Sequence, residues 1–194
     1  MTSQEIFDKI KQQLSNVALE WQQGDAGDSW MLVPVNEIQN VLKYLKDTIG
    51  LTYLVNLAGI DYGGPLAVVY VLRSLQTKEQ IAVKVLLDRD HPEIPTASFL
   101  FGSANWFERE AFDLLGIQFT GHPDLRRILM PEDWVGFPLR KDYQVPAEYH
   151  GIPTERPDPH QLLDQLKPIA CGSVDSNGSE EGKESGNATA AKEG

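Results

Sequence analysis

The sequence contains one cysteine, Cys171, and only four histidines among its 194 residues. A single thiol cannot form an internal disulfide, and it cannot hold an iron–sulfur cluster or a cysteine-rich zinc site. The histidines lie far apart, and no two have the spacing of metal ligands on one helix face. The composition therefore predicts a protein from a reducing compartment, without an iron–sulfur cluster or a cysteine-rich zinc site.

An excess of positive charge and a long apolar run are also missing. The formal net charge of −11 disfavours binding to a phosphate backbone or to an anionic membrane surface. No stretch approaches the roughly 18 apolar residues of a membrane-spanning helix. The sequence predicts no nucleic-acid partner, and it predicts membrane association only through partner proteins.

A glycine-rich phosphate loop is missing as well. Gly59, Gly63 and Gly64 flank a turn and do not connect a strand to a helix with phosphate-binding spacing. The residues alone thus predict no nucleotide or other cofactor site in this protein.

The hydrophobic pattern of the first 120 residues predicts the fold. Three segments have helical spacing, and several runs rich in β-branched and aromatic residues are typical of strands. The predicted helices are 3–14, 36–50 and 105–116, and the predicted strands are 17–21, 29–35, 51–60, 65–74, 80–88 and 117–119. The order predicts an α+β fold: a mixed, mainly antiparallel sheet with helices packed on one face, followed by an extended C-terminal segment.

Particular residues mark the predicted helix ends. Asn36 and Asn105 are in position to cap two helix N-termini, with Glu108 reaching back to Asn105 in a capping box. Gly50 and Gly116 suit the left-handed position that follows a helix C-terminus.

Composition divides the sequence into three parts. Residues 1–143 form the predicted α+β domain. Residues 144–171 are predicted to be extended, because VPAEYHGIPTERPDPH holds four prolines in sixteen residues and regular structure is disfavoured there. Residues 172–194 have almost no apolar content and are predicted to be a disordered polar tail.

The segment GHPDLRRILMPEDWVGFPLRKDY, residues 121–143, combines charges, aromatic residues and helix breakers. Residues 108–142 hold five Lys or Arg against seven Asp or Glu, so the patch is balanced and does not fit nucleic-acid binding. Aromatic residues mixed with arginines on a loop rich in prolines and glycines are typical of interface anchors. An equally good interpretation of the residues is that the aromatics cover the core of this same domain.

Acidic residues on the third helix raise a second possibility. Glu108, Glu110 and Asp113, with His122 nearby in sequence, could bind a divalent metal in a hydrolase, and Asp124 could orient the imidazole. The plainer interpretation is a salt-bridged helix face and a hydrogen-bonded turn histidine. No serine or cysteine nucleophile stands near His122.

The stretch NWFEREAFDLLGIQFTGHPDLRRILMPEDWVGFPLRKDY resembles the hallmark segment of the C subunit of proton-pumping NADH:quinone oxidoreductase, respiratory complex I. Residues 3–90 resemble the α+β domain of that family more loosely. The resemblance implies a hydrophilic-arm subunit without a redox centre. FMN and the iron–sulfur clusters would lie in partner subunits.

The resemblance also implies partners and a location. The protein would contact the D, B and I subunits of the same complex, with segment 144–168 wrapping the D subunit, at the cytoplasmic face of the plasma (inner) membrane. The third helix and the 121–143 loop would form one ordered docking unit. The residues predicted to dock partners are Glu108, Arg109, Glu110, Asp113, His122, Asp124, Arg126, Arg127, Trp134, Arg140, Lys141 and Asp142.

Three alternatives remain at this stage. One is the equivalent subunit of a ferredoxin-linked or hydrogenase-type relative. Another is a free-standing metal-dependent hydrolase that uses Glu108, Glu110, Asp113 and His122. The third is a scaffold protein unrelated to electron transfer.

Overall fold

A computed structural model describes residues 3–14, 17–23 and 29–154 of the protein. The described residues belong to two compact units, the first ending at Val145 and the second beginning at Pro146. Most of the predicted extended segment, the polar tail and Cys171 lie outside the described residues.

The first unit is built on a five-stranded sheet with the strand order β1-β2-β5-β4-β3. Only the contact between β2 and β5 is parallel, and the other neighbours are antiparallel. The fold prediction, a mixed but mainly antiparallel sheet, is therefore confirmed. The strands are β1 (Glu20–Gln23), β2 (Ser29–Leu32), β3 (Tyr53–Asp61), β4 (Leu66–Arg73) and β5 (Gln80–Leu87).

The helices bury one apolar stripe each against this sheet. They are α1 (Ser3–Gln13), α2 (Ile38–Tyr44), which continues as a π-helical turn over Leu45–Ile49, and α3 (Ala104–Leu115). Ile6 and Ile10 of α1 are fully buried in one core with Val68 and Tyr70 of β4, as expected for strands whose alternate residues face the helices. No helix within the described ranges is long and apolar enough to cross a membrane.

Two helix starts differ from the sequence prediction. The second helix begins with a 3-10 turn, Val35–Glu37, whose cap is Pro34, so Asn36 is not the N-cap. The third helix follows Ser103, and no side chain hydrogen-bonds its first N–H groups as a cap. Pro34 is extended and Ser103 is already helical in its backbone angles, and neither helix start has a hydrogen bond from the side chain of its cap residue.

Two short strands occur beside α3. Residues 91–98, predicted to be a connector, contain β6 (Glu93–Pro95), which pairs in parallel with β7 (Gln118–Thr120). The pairing brings the segment after β6 close to the N-terminal half of α3. Thr96 and Ala97 in this segment hydrogen-bond a side chain of α3.

The described part of the second unit is a small hairpin. Strands β8 (Glu148–Tyr149) and β9 (Ile152–Pro153) are antiparallel. The turn residues His150 and Gly151 both have positive φ, 51° and 76°, as two-residue hairpin turns require. The proline-rich composition did not predict this pairing, because only two residues of each strand take part.

Gly59 on β3 allows α3 to pack closely on the sheet. A Cβ atom at Gly59 would lie 2.4 Å from the Leu115 Cδ1 atom and 3.5 Å from the Ala111 Cβ atom. The helix therefore sits nearer to β3 than any larger residue would permit. This contact fixes the position of α3, which holds several of the predicted docking residues.

Gly116 should not tolerate a side chain. It ends α3 with φ of 74°, and an added Cβ would lie 2.5 Å from the Phe137 ring. Gly116→Ala is expected to lower the free energy of unfolding by about 2–4 kcal/mol, from left-handed strain and overpacking together. Urea unfolding checks this, with Gly102→Ala as the control because nothing lies within 4 Å of its Cβ position. Equal effects of the two substitutions would contradict the prediction.

Candidate docking site

Asp113 of α3 anchors the first half of the 121–143 loop. Its side chain is fully buried, and Oδ2 accepts hydrogen bonds from the backbone N–H groups of Ile128, Leu129 and Met130 at 3.0, 2.7 and 2.9 Å. Arg127 Nη1 donates to Oδ1 at 3.1 Å. Burial by itself would raise the pKa of this carboxyl, but the N–H groups and the guanidinium outweigh burial and hold the pKa below its usual value. The carboxylate therefore stays charged and keeps the loop backbone in place.

Arg127 connects this anchor to the second half of the loop. Its Nη2 donates to the Gly136 carbonyl oxygen at 3.2 Å, and its guanidinium lies 5.6 Å from the centre of the Phe137 ring. One guanidinium thus bonds both a buried carboxylate and a distant turn, which a planar group with several donors can do.

Arg109 holds the same stretch from the preceding turn of α3. Its Nε and Nη2 donate to the carbonyl oxygens of Arg126 and Arg127 at 3.2 and 3.4 Å. Its guanidinium lies 5.0 Å from the centre of the Trp106 ring. Asp113 binds N–H groups and Arg109 binds carbonyl groups, so backbone atoms fix the loop on both sides.

The C-terminal end of α3 receives the loop's second half. Leu139 N–H donates to the Leu114 carbonyl oxygen at 3.0 Å, and Arg140 Nε donates to that of Leu115 at 2.7 Å. Phe137 packs on the helix end, with the Arg140 guanidinium 5.0 Å from its ring centre. Carbonyl groups that a helix end leaves without intrahelical donors are here bonded by the loop.

Asp61, at the end of β3, fixes the last residues of the loop. Its carboxylate accepts the Lys141 N–H at 2.7 Å and the Gly63 N–H at 2.7 Å, and it pairs with Arg89 at 2.7 Å. Arg89 also pairs with Asp142 at 2.6 Å. The Arg89 guanidinium, followed by the Lys141 N–H, holds the pKa of Asp61 far below its usual value. Asp61 lies between the predicted strands 51–60 and 65–74, and nothing in the sequence pointed to this network.

Glu108 is also fully buried, but its partners differ from those of Asp113. It does not form the predicted capping box with Asn105. Thr96 Oγ1 donates to Oε2 at 2.5 Å, and the Ala97 N–H donates to Oε1 at 2.6 Å. Burial raises the pKa of Glu108 to about 7, although both hydrogen bonds oppose the rise. Burial also raises the pKa of the Tyr70 phenol, and Glu108 adds to that shift. The segment after β6, and not the helix cap, therefore supplies the hydrogen-bond partners of Glu108.

His122 joins the start of the loop to α3. Its Nδ1 accepts the Asp124 N–H at 3.0 Å, and its Nε2 lies 3.2 Å from the Asn105 carbonyl oxygen. These partners assign the proton to Nε2. Nε2 also lies 3.9 Å from Glu108 Oε2. The backbone of Asp124, and not its carboxylate, orients the ring, so the predicted carboxylate–imidazole pair does not form.

The predicted docking residues therefore fall into groups by exposure. Buried are Glu108, Arg109, Asp113 and the side chain of His122. Half-buried are Arg127, Trp134 and Arg140. Exposed are Glu110, Asp124, Arg126, Lys141 and Asp142. The loop also exposes three apolar side chains, Leu129, Val135 and Leu139. The contacts above show that α3 and the loop form one ordered unit, whose buried charges act inside the protein.

The four residues of the hydrolase alternative do not form a ligand set. Across residues 3–14, 17–23 and 29–154, no three His, Cys, Asp or Glu side chains meet in a way that could hold a metal ion. Glu110 is exposed, whereas Asp113 bonds the loop backbone and Glu108 bonds the segment after β6. Glu110 and Asp113 are three residues apart on α3, yet Glu110 is exposed and Asp113 is buried, so the two carboxylates do not act as a pair.

Comparison with known protein families shows which proteins share α3 and the 121–143 loop. Residues 31–149 match the family described as respiratory-chain NADH dehydrogenase, 30 kDa subunit. That range contains α3, the whole loop and every strand of the main sheet except β1 and the first residues of β2.

Individual relatives agree with the family match. The protein is 36% identical over 151 residues to the C subunit of the NADH-quinone oxidoreductase of Chlorobium phaeobacteroides, an alignment that covers 75% of this sequence and 91% of that one. It is 52% identical over 102 residues to the corresponding C subunit of Chloroherpeton thalassium, covering 52% of this sequence but only 42% of that one. The trypsin-resistant fragment 1–134 of Nqo5 has a similar fold, with a TM-score of 0.55 and 30% identity, covering 64% of this sequence and all of the fragment.

Proposed function

The protein belongs to the family of the 30 kDa subunit of respiratory-chain NADH dehydrogenase, and we propose that it is a peripheral-arm subunit of an NADH:quinone oxidoreductase. The complex as a whole would transfer electrons from NADH, through FMN and iron–sulfur centres, to a quinone, and would translocate protons. The names of the relatives support NADH as the donor over the ferredoxin-linked alternative.

We propose a structural role for this protein within that complex. It binds no FMN or cluster, does not turn over substrate by itself, and holds the D, B and I subunits together. Its location is the cytoplasmic face of the plasma (inner) membrane, reached through those partners. The scarcity of cysteine supports the absence of a cluster, because clusters require several thiolate ligands.

One observation carries this proposal: the 121–143 loop is fixed to α3 and β3 by its backbone. Asp113, Arg109 and Asp61 bond main-chain atoms of the loop, which leaves the outward side chains of the loop available for other contacts. A loop held rigid before binding loses little conformational entropy when a partner docks. The exposed Leu129, Val135 and Leu139, surrounded by charges, fit a protein interface with apolar anchors and a polar rim.

Arg126→Ala is expected to weaken assembly without weakening the fold. The Arg126 side chain is 68% exposed and forms its ion pair with Asp124, itself 55% exposed, at 2.9 Å, and such surface pairs contribute at most about 1 kcal/mol to stability. Loss of a buried interfacial arginine commonly costs about 2–5 kcal/mol of binding. Co-purification with the D subunit and NADH:quinone reductase activity of membranes measure the loss.

The double substitution Arg126→Ala with Arg127→Ala should lower assembly further, because Arg127 also supports the loop through Asp113. Lys43→Ala, at an exposed lysine of α2, is the control for loss of a surface cation. Wild-type co-purification and activity of both arginine variants would refute the docking role of this loop.

A further inference from the structure

The main sheet has a second face, opposite to the three helices. Side chains that alternate with the core residues of β2 to β5 project from it. They form a shallow groove of about 570 Å³, whose lining combines Trp30, Ile60, Val69, Val71 and Ala82 with the polar side chains of Ser29, Gln80 and Lys84. Within the part of the protein that the structure describes, no helix covers this groove.

The composition of this face is unusual for a sheet surface exposed to water. An antiparallel sheet with one solvated face normally alternates apolar residues inside with polar residues outside. Here β4 and β5 present the half-buried Val69, Val71 and Ala82 outward, and Tyr62 in the lining is 47% exposed. Leu86, on the same face of β5 as Ala82 and Lys84, is 41% exposed. An apolar floor bordered by polar side chains is the arrangement of a protein interface.

Lys84 places a positive charge in the groove. Its ammonium lies 5.0 Å from the ring centre of Trp30 and 4.3 Å from that of Tyr62, and it donates to the Tyr62 hydroxyl at 2.7 Å. The described residues supply no carboxylate within salt-bridge distance of it. Glu20, on the same row of the sheet, is two strands away, about 9–10 Å at the usual strand spacing. Among the described residues, no carboxylate lies within ion-pair distance of this cation, and two aromatic rings hold it in place.

We propose that this groove, centred on Lys84, is a second docking surface, and that it binds an amphipathic helix of another subunit whose apolar stripe includes one Asp or Glu. The apolar strands would bury the stripe, and the carboxylate would meet the ammonium between Trp30 and Tyr62. A helix about 10–12 Å wide fits across four strands, which span about 15 Å. A sheet with one bare apolar face commonly completes its core by covering that face with a second layer.

Charge favours this occupant over a second copy of the same protein. A second copy placed groove to groove would bring one Lys84 towards another, and each copy has a net charge of −11 that opposes self-association. An acidic residue from another subunit supplies an anion that the described residues do not place beside Lys84.

This inference rests on the proposed function in one respect only, that the helix comes from a protein of the same complex. The loop 121–143 and the groove use different residues. The two proposals can therefore fail separately.

Photocrosslinking in the assembled complex tests the inference. A benzoylphenylalanine replaces Tyr62, which lines the groove, or Leu86, which is exposed on the same face of the sheet, and Lys43 of α2 is the control position. Tyr62 and Leu86 should both crosslink to one segment of another subunit, with an Asp or Glu within one helical turn of the linked residue. A crosslink to a second copy, an internal crosslink, or no crosslink from a protein present in the complex would overturn the proposal.

A charge reversal gives an independent measurement. Lys84→Glu should reduce the amount of this protein recovered in the complex about tenfold or more, because it opposes the partner's carboxylate inside an apolar contact. Lys43→Glu should change recovery by less than about twofold. Urea unfolding of the two full-length variants separates lost binding from lost folding. Recovery of folded Lys84→Glu protein at the wild-type level would overturn the inference, whereas absence of the wild-type protein from the complex would contradict the proposed function itself.

Discussion

Asp113→Ala is expected to lower the free energy of unfolding by about 3–5 kcal/mol, the usual effect of removing one member of a buried charge pair. Asp113 is the point at which Arg127 and three successive N–H groups of the loop are satisfied. Its loss leaves a half-buried guanidinium without its ion-pair partner and three partly buried N–H donors without their acceptor. Urea unfolding of the purified protein measures the effect.

Glu110→Ala is the matched control, because Glu110 is an exposed carboxylate on the same helix. It should change stability by no more than about 0.5 kcal/mol. Asp113→Ala should also increase proteolysis and amide exchange of residues 126–130, since the N–H groups of residues 128–130 lose their acceptor. If the loop stays protected in Asp113→Ala, the Asp113 anchor is not what holds it.

The stability of the folded domain is expected to fall as the pH rises from about 4.5 to about 7. Burial raises the pKa of Glu108 from 4.5 to about 7, so the folded protein keeps a proton that the unfolded protein has already released. Since the folded state then binds more protons, its free energy of unfolding decreases with pH across this window and levels off above it. The shift corresponds to a contribution of about 3 kcal/mol.

Glu108→Gln isolates this effect. Glutamine is neutral at every pH, and it can accept from the Ala97 N–H and donate to Thr96 Oγ1 in the same place. The decrease between pH 4.5 and 7 should therefore be strongly reduced in urea unfolding of this variant. Asp61 and Asp113 have lowered pKa values, so they affect stability only as the pH falls below about 4. A decrease of equal size in wild type and Glu108→Gln would contradict the assignment.

These contacts explain how a charged loop can be both rigid and available. The loop's backbone N–H groups are bonded by Asp113 and Asp61, and its carbonyl groups by Arg109. The binding surface is therefore shaped before a partner arrives. This organisation suits a subunit whose proposed task is to hold other subunits in fixed positions.

Sequence reasoning was most successful where a pattern is local. The alternating runs that became β3, β4 and β5, and the helical stripe of α3, are repeated over eight or more residues, so one deviation does not hide the period. Gly50 and Gly116 follow their helices with φ of 85° and 74°, as predicted, because only a residue without Cβ adopts that conformation at little cost.

Sequence reasoning failed where a local rule competed with a distant partner. Glu108 satisfies the capping-box spacing with Asn105, yet its carboxylate bonds Thr96 and Ala97. The strand pair β6–β7 brings those groups to the helix, and nothing within three residues of Glu108 reveals it. Asp61 and Lys141 are 80 residues apart, so no spacing rule could join them.

Periodicity, composition and an almost unbroken run of matching residues were enough to predict the fold class, the family and the breaker-rich loop. Which of the charged side chains are internal and which face outward follows from packing, as Glu108, Asp113, Arg126 and Arg127 show. Residues three or four positions apart share a helix face in any sequence, but their burial depends on what packs against that face. Here the loop covers Asp113 and the segment after β6 covers Glu108, and each buried carboxylate is stabilised by donors that the fold brings from elsewhere in the protein.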